Sequence, residues 1–142
     1  MSMATTRAQG RADLHIHTCH SDGTASVRET LEYASMHTGL DVIAITDHDT
    51  IDGAIEAAAL AKLYRVEVVV GEEITSREGH VLGLFLTSRV PPRLSALETV
   101  AAVHAQGGLA IAAHPFLHAV SHFPGGWAWA RQYAVCPSTR WR

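Results

Sequence analysis

The sequence predicts an α/β fold in which short buried strands alternate with helices and form a largely parallel sheet, either open or rolled into a barrel. Three observations predict it: apolar strand-like runs recur along the chain, capping-box pairs mark helix starts between them, and glycines follow the helical stretches. The 142 residues are 47% hydrophobic and 18% charged, which suits one globular domain.

The first half of the chain predicts two strands and two helices. A short strand is expected near residues 12–17, and Ser26 stands three residues before Glu29, the capping-box spacing of a helix that a glycine can end. A buried strand is expected near residues 41–46 (DVIAIT). The alanine-rich and leucine-rich residues 47–65 favour the second helix.

The second half continues the alternation. The β-branched residues 66–70 and the apolar residues 81–86 predict two more strands. Ser95 and Glu98 repeat the capping-box spacing before a third helix, and residues 109–113 predict a last buried strand. We expect all five strands to run parallel.

Titratable side chains lie at the ends of these predicted strands. His15 and His17 are two apart, so they point to the same face of the first strand. Parallel strands bring their C-terminal ends to one rim, where we expect His15 to meet His48, Glu73 and His114. Neutral imidazole is the commonest metal ligand, so the pattern favours a metal site over structural histidines held by backbone carbonyls.

Four segments in order along the chain resemble the polymerase and histidinol phosphatase (PHP) superfamily of metal-dependent phosphoesterases. They are DLHIHTCHSDGT, ITDHDTIDG, GEEITS with GHVLGLF, and GGLAIAAHPF. Among its members the chain is most similar to the stand-alone nucleotide phosphatase branch. Four ordered motifs make the resemblance specific, whereas a lone His-x-His would not be.

The resemblance implies a fold and an activity. The fold would be a partial distorted (β/α)7 PHP barrel, with parallel strands and crossover helices, that occupies residues 12–116 and lacks its second half. The activity would be hydrolysis of phosphate monoesters of nucleotides or small metabolites by a metal-bound hydroxide. The cofactors would be two or three divalent ions, namely manganese, zinc or iron.

The resemblance also implies the site residues. The implied metal ligands are His15, His17, Asp22, His48, Glu73, His80 and His114. Asp22, His48 and His114 are also the implied catalytic residues, and whether His114 binds metal or a substrate phosphate stays open. Glu73, rather than Glu72, takes the family position of the bridging carboxylate.

Four polar residues near the implied ligands are expected to have supporting roles or none. Asp47 and Asp49 are expected to orient ligands or to cap the second helix. Cys19 and His20 are expected to be loop residues.

The end of the chain departs from the family pattern. Complete family domains close the site with a later histidine and an Asp-x-His pair, but Glu98 is the last acidic residue here. Residues 117–142 have three tryptophans and no clear apolar period, which favours a truncated or frame-shifted copy. We therefore expect impaired activity and self-association through the open barrel edge, and we expect residues 1–11 to form a disordered tail.

Composition limits the other functions. A net charge of −3 and a pI near 6.3 argue against stable binding to duplex nucleic acid, and no apolar run is long enough for a membrane span. Two distant cysteines fit a reducing cytoplasm. Two alternatives stay open: a non-catalytic metal-binding remnant or partner-dependent module, and an amidohydrolase-like enzyme that hydrolyses C–N bonds. Lys62, the lone lysine, lies in a predicted helix and is a poor carbamylated bridge.

Overall fold

The computed structural model describes residues 10–115. The elements in chain order are β1 (Ala12–Ile16), α1 (Val27–His37), β2 (Val42–Ile45), α2 (Asp52–Leu60) followed by a 3-10 turn (Ala61–Leu63), β3 (Glu67–Ser76), β4 (Gly79–Leu84), α3 (Ala96–Ala105) and β5 (Leu109–Ala112). The predicted segment 117–142 and residues 1–9 of the predicted tail lie outside the described residues. Arg11 is described, and its backbone N–H donates to the carboxylate of Asp41 at 2.8 Å.

The helix starts follow the predicted caps. Ser26 and Glu29 form a complete capping box at α1, and Ser95 and Glu98 form one at α3. Each box satisfies two helix-terminal N–H groups, and such a cap contributes about 1 kcal/mol. Helix α2 begins after Ile51 with no side-chain cap, so neither Asp47 nor Asp49 caps it, and their other expected role, orienting ligands, stays a prediction.

The five strands form one curled sheet in the order β1-β2-β3-β4-β5, as in half of a barrel. Strands β1, β2 and β3 are parallel and are joined through α1 and α2. Strand β4 runs antiparallel to both β3 and β5. The predicted α/β partial barrel is confirmed.

The direction of β4 corrects the expectation that all five strands are parallel. Strand β3 continues to Ser76, well beyond the predicted residues 66–70, and β4 already begins at Gly79. Only two residues therefore separate the strands, which is enough for a hairpin but too few for the crossover that a parallel pair needs. As a result, the start of β4 lies on the same rim as the ends of the parallel strands.

The core lies between the sheet and the helices and holds that rim in place. One cluster packs α1 and α2 against β2, with Leu31, Ile43 and Ile45 fully buried. A second packs α3 against β3 through Ile74 and Val103. Burying a side chain of this size contributes about 1.5–3 kcal/mol. Within residues 10–115 no helix is long and apolar enough to cross a membrane.

Candidate metal centre

The structure brings the predicted site residues together at the rim. His15 is in β1, His17 follows it, His48 follows β2, and a β-bridge pairs His48 with Glu73 of β3. His80 is near the start of β4 and His114 comes just after β5. Glu73 lies inside β3, whereas the sequence placed it after the strand. His80 reaches the rim because β4 is antiparallel.

Five imidazole rings form a closed circle around the carboxylate of Glu73. The rings are those of His15, His17, His48, His80 and His114. Successive ring centroids are 4.6 to 6.1 Å apart. Glu73 is almost fully buried at the centre, with 1% of its side chain exposed, so its charge requires close partners.

Every ring offers a nitrogen to one of the two oxygens of Glu73. Oε2 lies 2.8 Å from Nε2 of His15 and of His17 and 3.7 Å from Nε2 of His48. Oε1 lies 3.0 Å from Nδ1 of His80 and 3.1 Å from Nε2 of His114. A carboxylate with both oxygens directed at separate sets of imidazoles is suited to bridge two cations.

Two contacts in the site are explained better by a bound cation than by a hydrogen bond. The Nε2 atoms of His15 and His17 are 3.0 Å apart while both face the same carboxylate oxygen, a crowding of lone pairs that a shared cation would relieve. Nδ1 of His80 is buried and has no hydrogen-bond partner among the described residues, although Glu73 is close. An orphaned imidazole nitrogen beside a buried carboxylate indicates a missing ligand.

The donor atoms fall into three sets within coordination reach of a metal ion. The sets are His15, His17 and Glu73; His17, Asp22 and His48; and His48, Glu73 and His80. Imidazole and carboxylate donors suit manganese, zinc or iron. The residues therefore fit the two or three divalent ions that the sequence implies.

Asp22 contacts the site through His17. Its Oδ1 lies 2.6 Å from Nδ1 of His17, and its Oδ2 lies 3.7 Å from Nε2 of His48. The first contact links Asp22 to the same imidazole whose Nε2 faces Glu73. Asp22 can also approach a cation beside His48, because 68% of its side chain is exposed.

The metal-free site has shifted proton affinities. Burial alone would raise the pKa of Glu73, but its close polar contacts with His80 and His15 and the charges of the neighbouring histidines outweigh this effect, so the pKa lies well below its usual value. The hydrogen bond from His17 lowers the pKa of Asp22. Glu73 raises the pKa of His80, whereas burial lowers that of His48. The lowered pKa values favour the ionised forms of Glu73 and Asp22 in the site.

The other polar residues near the predicted ligands lie outside the imidazole circle. Asp47 is fully buried and binds the loop after β1, while Asp49 accepts from the backbone N–H of Thr75 at 2.7 Å. Cys19 and His20 are loop residues, as expected, and Nε2 of His20 lies 3.0 Å from Oε2 of Glu56.

Sequence reasoning missed three supporting residues. Thr18 and Ser21 donate hydrogen bonds to Asp47, and Glu56 is the partner of His20. The only available signal was that Thr18 and Ser21 are hydroxyl residues beside the predicted ligands. Nothing in their spacing identifies a partner about 30 residues away.

The fold and the donor set define a class: α/β proteins whose strand ends carry a centre for several divalent ions. A family model described as the PHP domain matches residues 13–120, and the chain belongs to this family. Metal-dependent phosphoester hydrolysis is the chemistry of its members. The resemblance seen in the sequence is confirmed.

The chain matches only part of the length of the relatives to which it is similar. The uncharacterized protein MJ1587 of Methanocaldococcus jannaschii is 44% identical over 117 residues, which are 75% of this chain and 68% of the relative. A 5'-3' exoribonuclease of Haemophilus influenzae is 40% identical over 89 residues, and a 3',5'-nucleoside bisphosphate phosphatase of Chromobacterium violaceum is 30% identical over 92. These matches cover 60% and 62% of this chain but only 32% of either enzyme.

A solved structure supports the fold. It is a two-domain protein from Bacteroides vulgatus that contains a predicted PHP-like metal-dependent phosphoesterase. The superposition has a TM-score of 0.65 at 21% identity and covers 93% of this chain and 38% of the other. At this identity the likeness concerns the fold alone.

Proposed function

We propose that the chain is a metal-dependent phosphoesterase that hydrolyses phosphate monoesters of nucleotides or of small phosphorylated metabolites. The observation that carries this proposal is the circle of five imidazoles around one buried carboxylate, with Asp22 beside it. The relatedness to a nucleoside bisphosphate phosphatase and to an exoribonuclease supports a nucleotide-like phosphoester.

The ligand roles follow from the three donor sets. Glu73 would hold one divalent ion together with His15 and His17, and it would hold another together with His48 and His80. Asp22 and His48, with His17, would hold a third ion or would orient the other ligands. Divalent ions in such a centre supply a hydroxide nucleophile near neutral pH and offset the negative charge that develops on the phosphoryl oxygens.

The exposed side of the circle is where a substrate phosphate would bind. Of the predicted site residues, Asp22 and His114 are the most exposed to solvent, with 68% and 41% of their side chains exposed. Nε2 of His114 can bind an ion with Glu73 or donate to a phosphoryl oxygen. Burial lowers the pKa of His48, which keeps its ring neutral near pH 7 and available as a ligand or proton acceptor.

The structural position of Lys62 disfavours an amidohydrolase-like enzyme with a carbamylated lysine. Lys62 lies in the 3-10 turn after α2, whereas Glu73 lies at the centre of the imidazole circle and is the better candidate for a bridging group. We also propose a cytoplasmic location, because Cys19 is an exposed thiol with no disulfide partner within residues 10–115, and a reducing compartment would preserve it.

The test is phosphate release from an aryl phosphate and from nucleoside monophosphates and bisphosphates, with manganese, zinc or iron supplied separately. The variant His15→Ala should lose the activity, and the matched control His104→Ala, at an exposed position of α3, should keep it. Bound metal without any turnover would instead favour the non-catalytic metal-binding alternative. Equal turnover in both variants would contradict the proposed site.

A further inference from the structure

Strands β2 and β3 continue to pair beyond the last regular residue of β2. His48 pairs with Glu73 in the same parallel register as the strand pairs before it. The backbone N–H of Glu73 donates to the carbonyl of Asp47 at 3.1 Å, and that of Asp49 donates to the carbonyl of Glu73 at 3.1 Å. These two bonds follow the pattern of a parallel ladder. The ladder therefore brings His48 and Glu73 side by side to the rim.

The main chain leaves this ladder at Asp49. Its φ is 54°, in the left-handed region that most residues avoid and that aspartate and asparagine tolerate comparatively well. The next donor of β3 is the backbone N–H of Thr75, which in a continuing parallel ladder would bind the main-chain carbonyl of residue 49. It binds Oδ1 of Asp49 instead, at 2.7 Å. The side chain thus supplies the next hydrogen bond of the ladder where the strand has turned away.

This hydrogen bond joins the segments that carry one complete donor set. His48 directly precedes Asp49 in the chain. Glu73 lies two residues before Thr75, and Thr75 pairs with His80 across the hairpin of β3 and β4. His48, Glu73 and His80 form one of the three donor sets, here called the hairpin donor set. A shift of the end of β2 along β3 would therefore change the distances between its donor atoms.

Direct coordination of a cation does not account for Asp49. Within residues 10–115, no donor set in coordination reach of a metal ion includes it. Its side chain is half-buried, and its Oδ1 is already the acceptor for Thr75. These observations fit a hydrogen-bond acceptor held in a fixed place better than they fit a metal ligand.

We propose that Asp49 is a positioning residue whose Oδ1 extends the β2–β3 ladder past His48 and so fixes the spacing of the hairpin donor set. The proposal rests on the proposed metal centre, and it assigns Asp49 no contact with metal or substrate. It requires a side-chain acceptor and a residue that tolerates positive φ at this position, but it does not require a negative charge.

Two variants separate these requirements. Asp49→Asn keeps an Oδ1 acceptor and tolerates positive φ, but it carries no charge. Asp49→Gly tolerates positive φ as well, but it has no acceptor. Asp52→Gly, at an exposed position in the first turn of α2, is the matched control for loss of an aspartate and gain of a glycine. The difference between Asp49→Asn and Asp49→Gly therefore isolates the hydrogen bond.

The first measurement is amide hydrogen exchange of Thr75, followed by NMR in the metal-free protein. Wild type, Asp49→Asn and Asp52→Gly should protect this N–H. Asp49→Gly should exchange it about 10-fold faster, because the bond to the side-chain oxygen is gone. Unchanged protection in Asp49→Gly would overturn the proposal. This readout requires neither metal nor substrate.

The second measurement is manganese affinity, determined by calorimetric titration. Loss of a residue that orients metal ligands lowers affinity about 10- to 100-fold, which we expect for Asp49→Gly. Asp49→Asn and Asp52→Gly should bind as wild type does. Wild-type affinity in Asp49→Gly would overturn the proposal. So would an Asp49→Asn protein that binds as weakly as Asp49→Gly, since the charge would then be the property that matters. Phosphate release enters neither measurement, so failure of the proposed activity would be seen separately.

Discussion

The adjacent residues Glu72 and Glu73 should respond oppositely to the same change, because strand β3 points them to opposite faces of the sheet. Glu73 faces the imidazole circle. Glu72 faces the loop before α3, where its Oε2 accepts from the backbone N–H of Val90 at 2.8 Å. Its Oε1 is buried without a hydrogen bond to any residue between 10 and 115, and Nε of Arg89 lies 3.9 Å from it.

Burial raises the pKa of Glu72 from 4.5 to about 7, with the hydrogen bond from Val90 and the charge of Arg89 offsetting only part of the effect. The folded state therefore binds this proton more tightly than the unfolded state does. The stabilisation is fully present below the unfolded pKa of 4.5 and is lost as the pH rises through about 7. A difference of roughly 2.5 pKa units corresponds to about 3 kcal/mol.

The variant Glu72→Gln keeps an oxygen that can accept the hydrogen bond from Val90, but its side chain cannot ionise. Urea unfolding of both proteins with a metal chelator, at about pH 5 and about pH 8.5, should show the variant gaining about 2.5 kcal/mol relative to wild type at the higher pH. Parallel pH dependences of the two proteins would contradict the raised pKa of Glu72. In the same preparations without chelator, Glu72→Gln should keep its bound metal and Glu73→Gln should lose it.

Three further predictions concern the centre, the packing beside it and the sheet edge. Replacing both His15 and His17 by alanine should abolish retention of divalent metal, whereas His104→Ala should not; elemental analysis decides, and equal metal in all three proteins would exclude this centre. Gly53→Ala should lower the free energy of unfolding by about 1–3 kcal/mol, because the new methyl group overlaps a buried carboxylate; an unchanged denaturant midpoint would argue against that packing. The outer edge of β1 is unpaired within residues 10–115, so the protein should self-associate in size-exclusion chromatography. Leu14→Lys should shift it toward monomer, and a wild type that is monomeric at every concentration would contradict this.

The order of strands and helices and the identity of the candidate ligands could both be predicted from the sequence alone. The two capping boxes are local patterns of four residues, so Ser26 and Ser95 could be identified as helix caps without knowledge of the fold. His15 and His17 share a face through the two-residue period of a strand. Motif order then connected them with His48, Glu73 and His80, which the structure does bring together.

The relative directions and contacts of segments far apart in the sequence are visible only in the folded chain. The antiparallel course of β4, which carries His80 to the rim, depends on where β3 ends, and apolar periodicity does not mark that point. Which of Glu72 and Glu73 faces the site depends on how the sheet curls, although the family motif had already favoured Glu73. The three hydrogen bonds from Thr18 and Ser21 to Asp47 join residues 26 to 29 positions apart. Such bonds exist only after β1 and β2 have paired in register, so a local pattern has no means of specifying them.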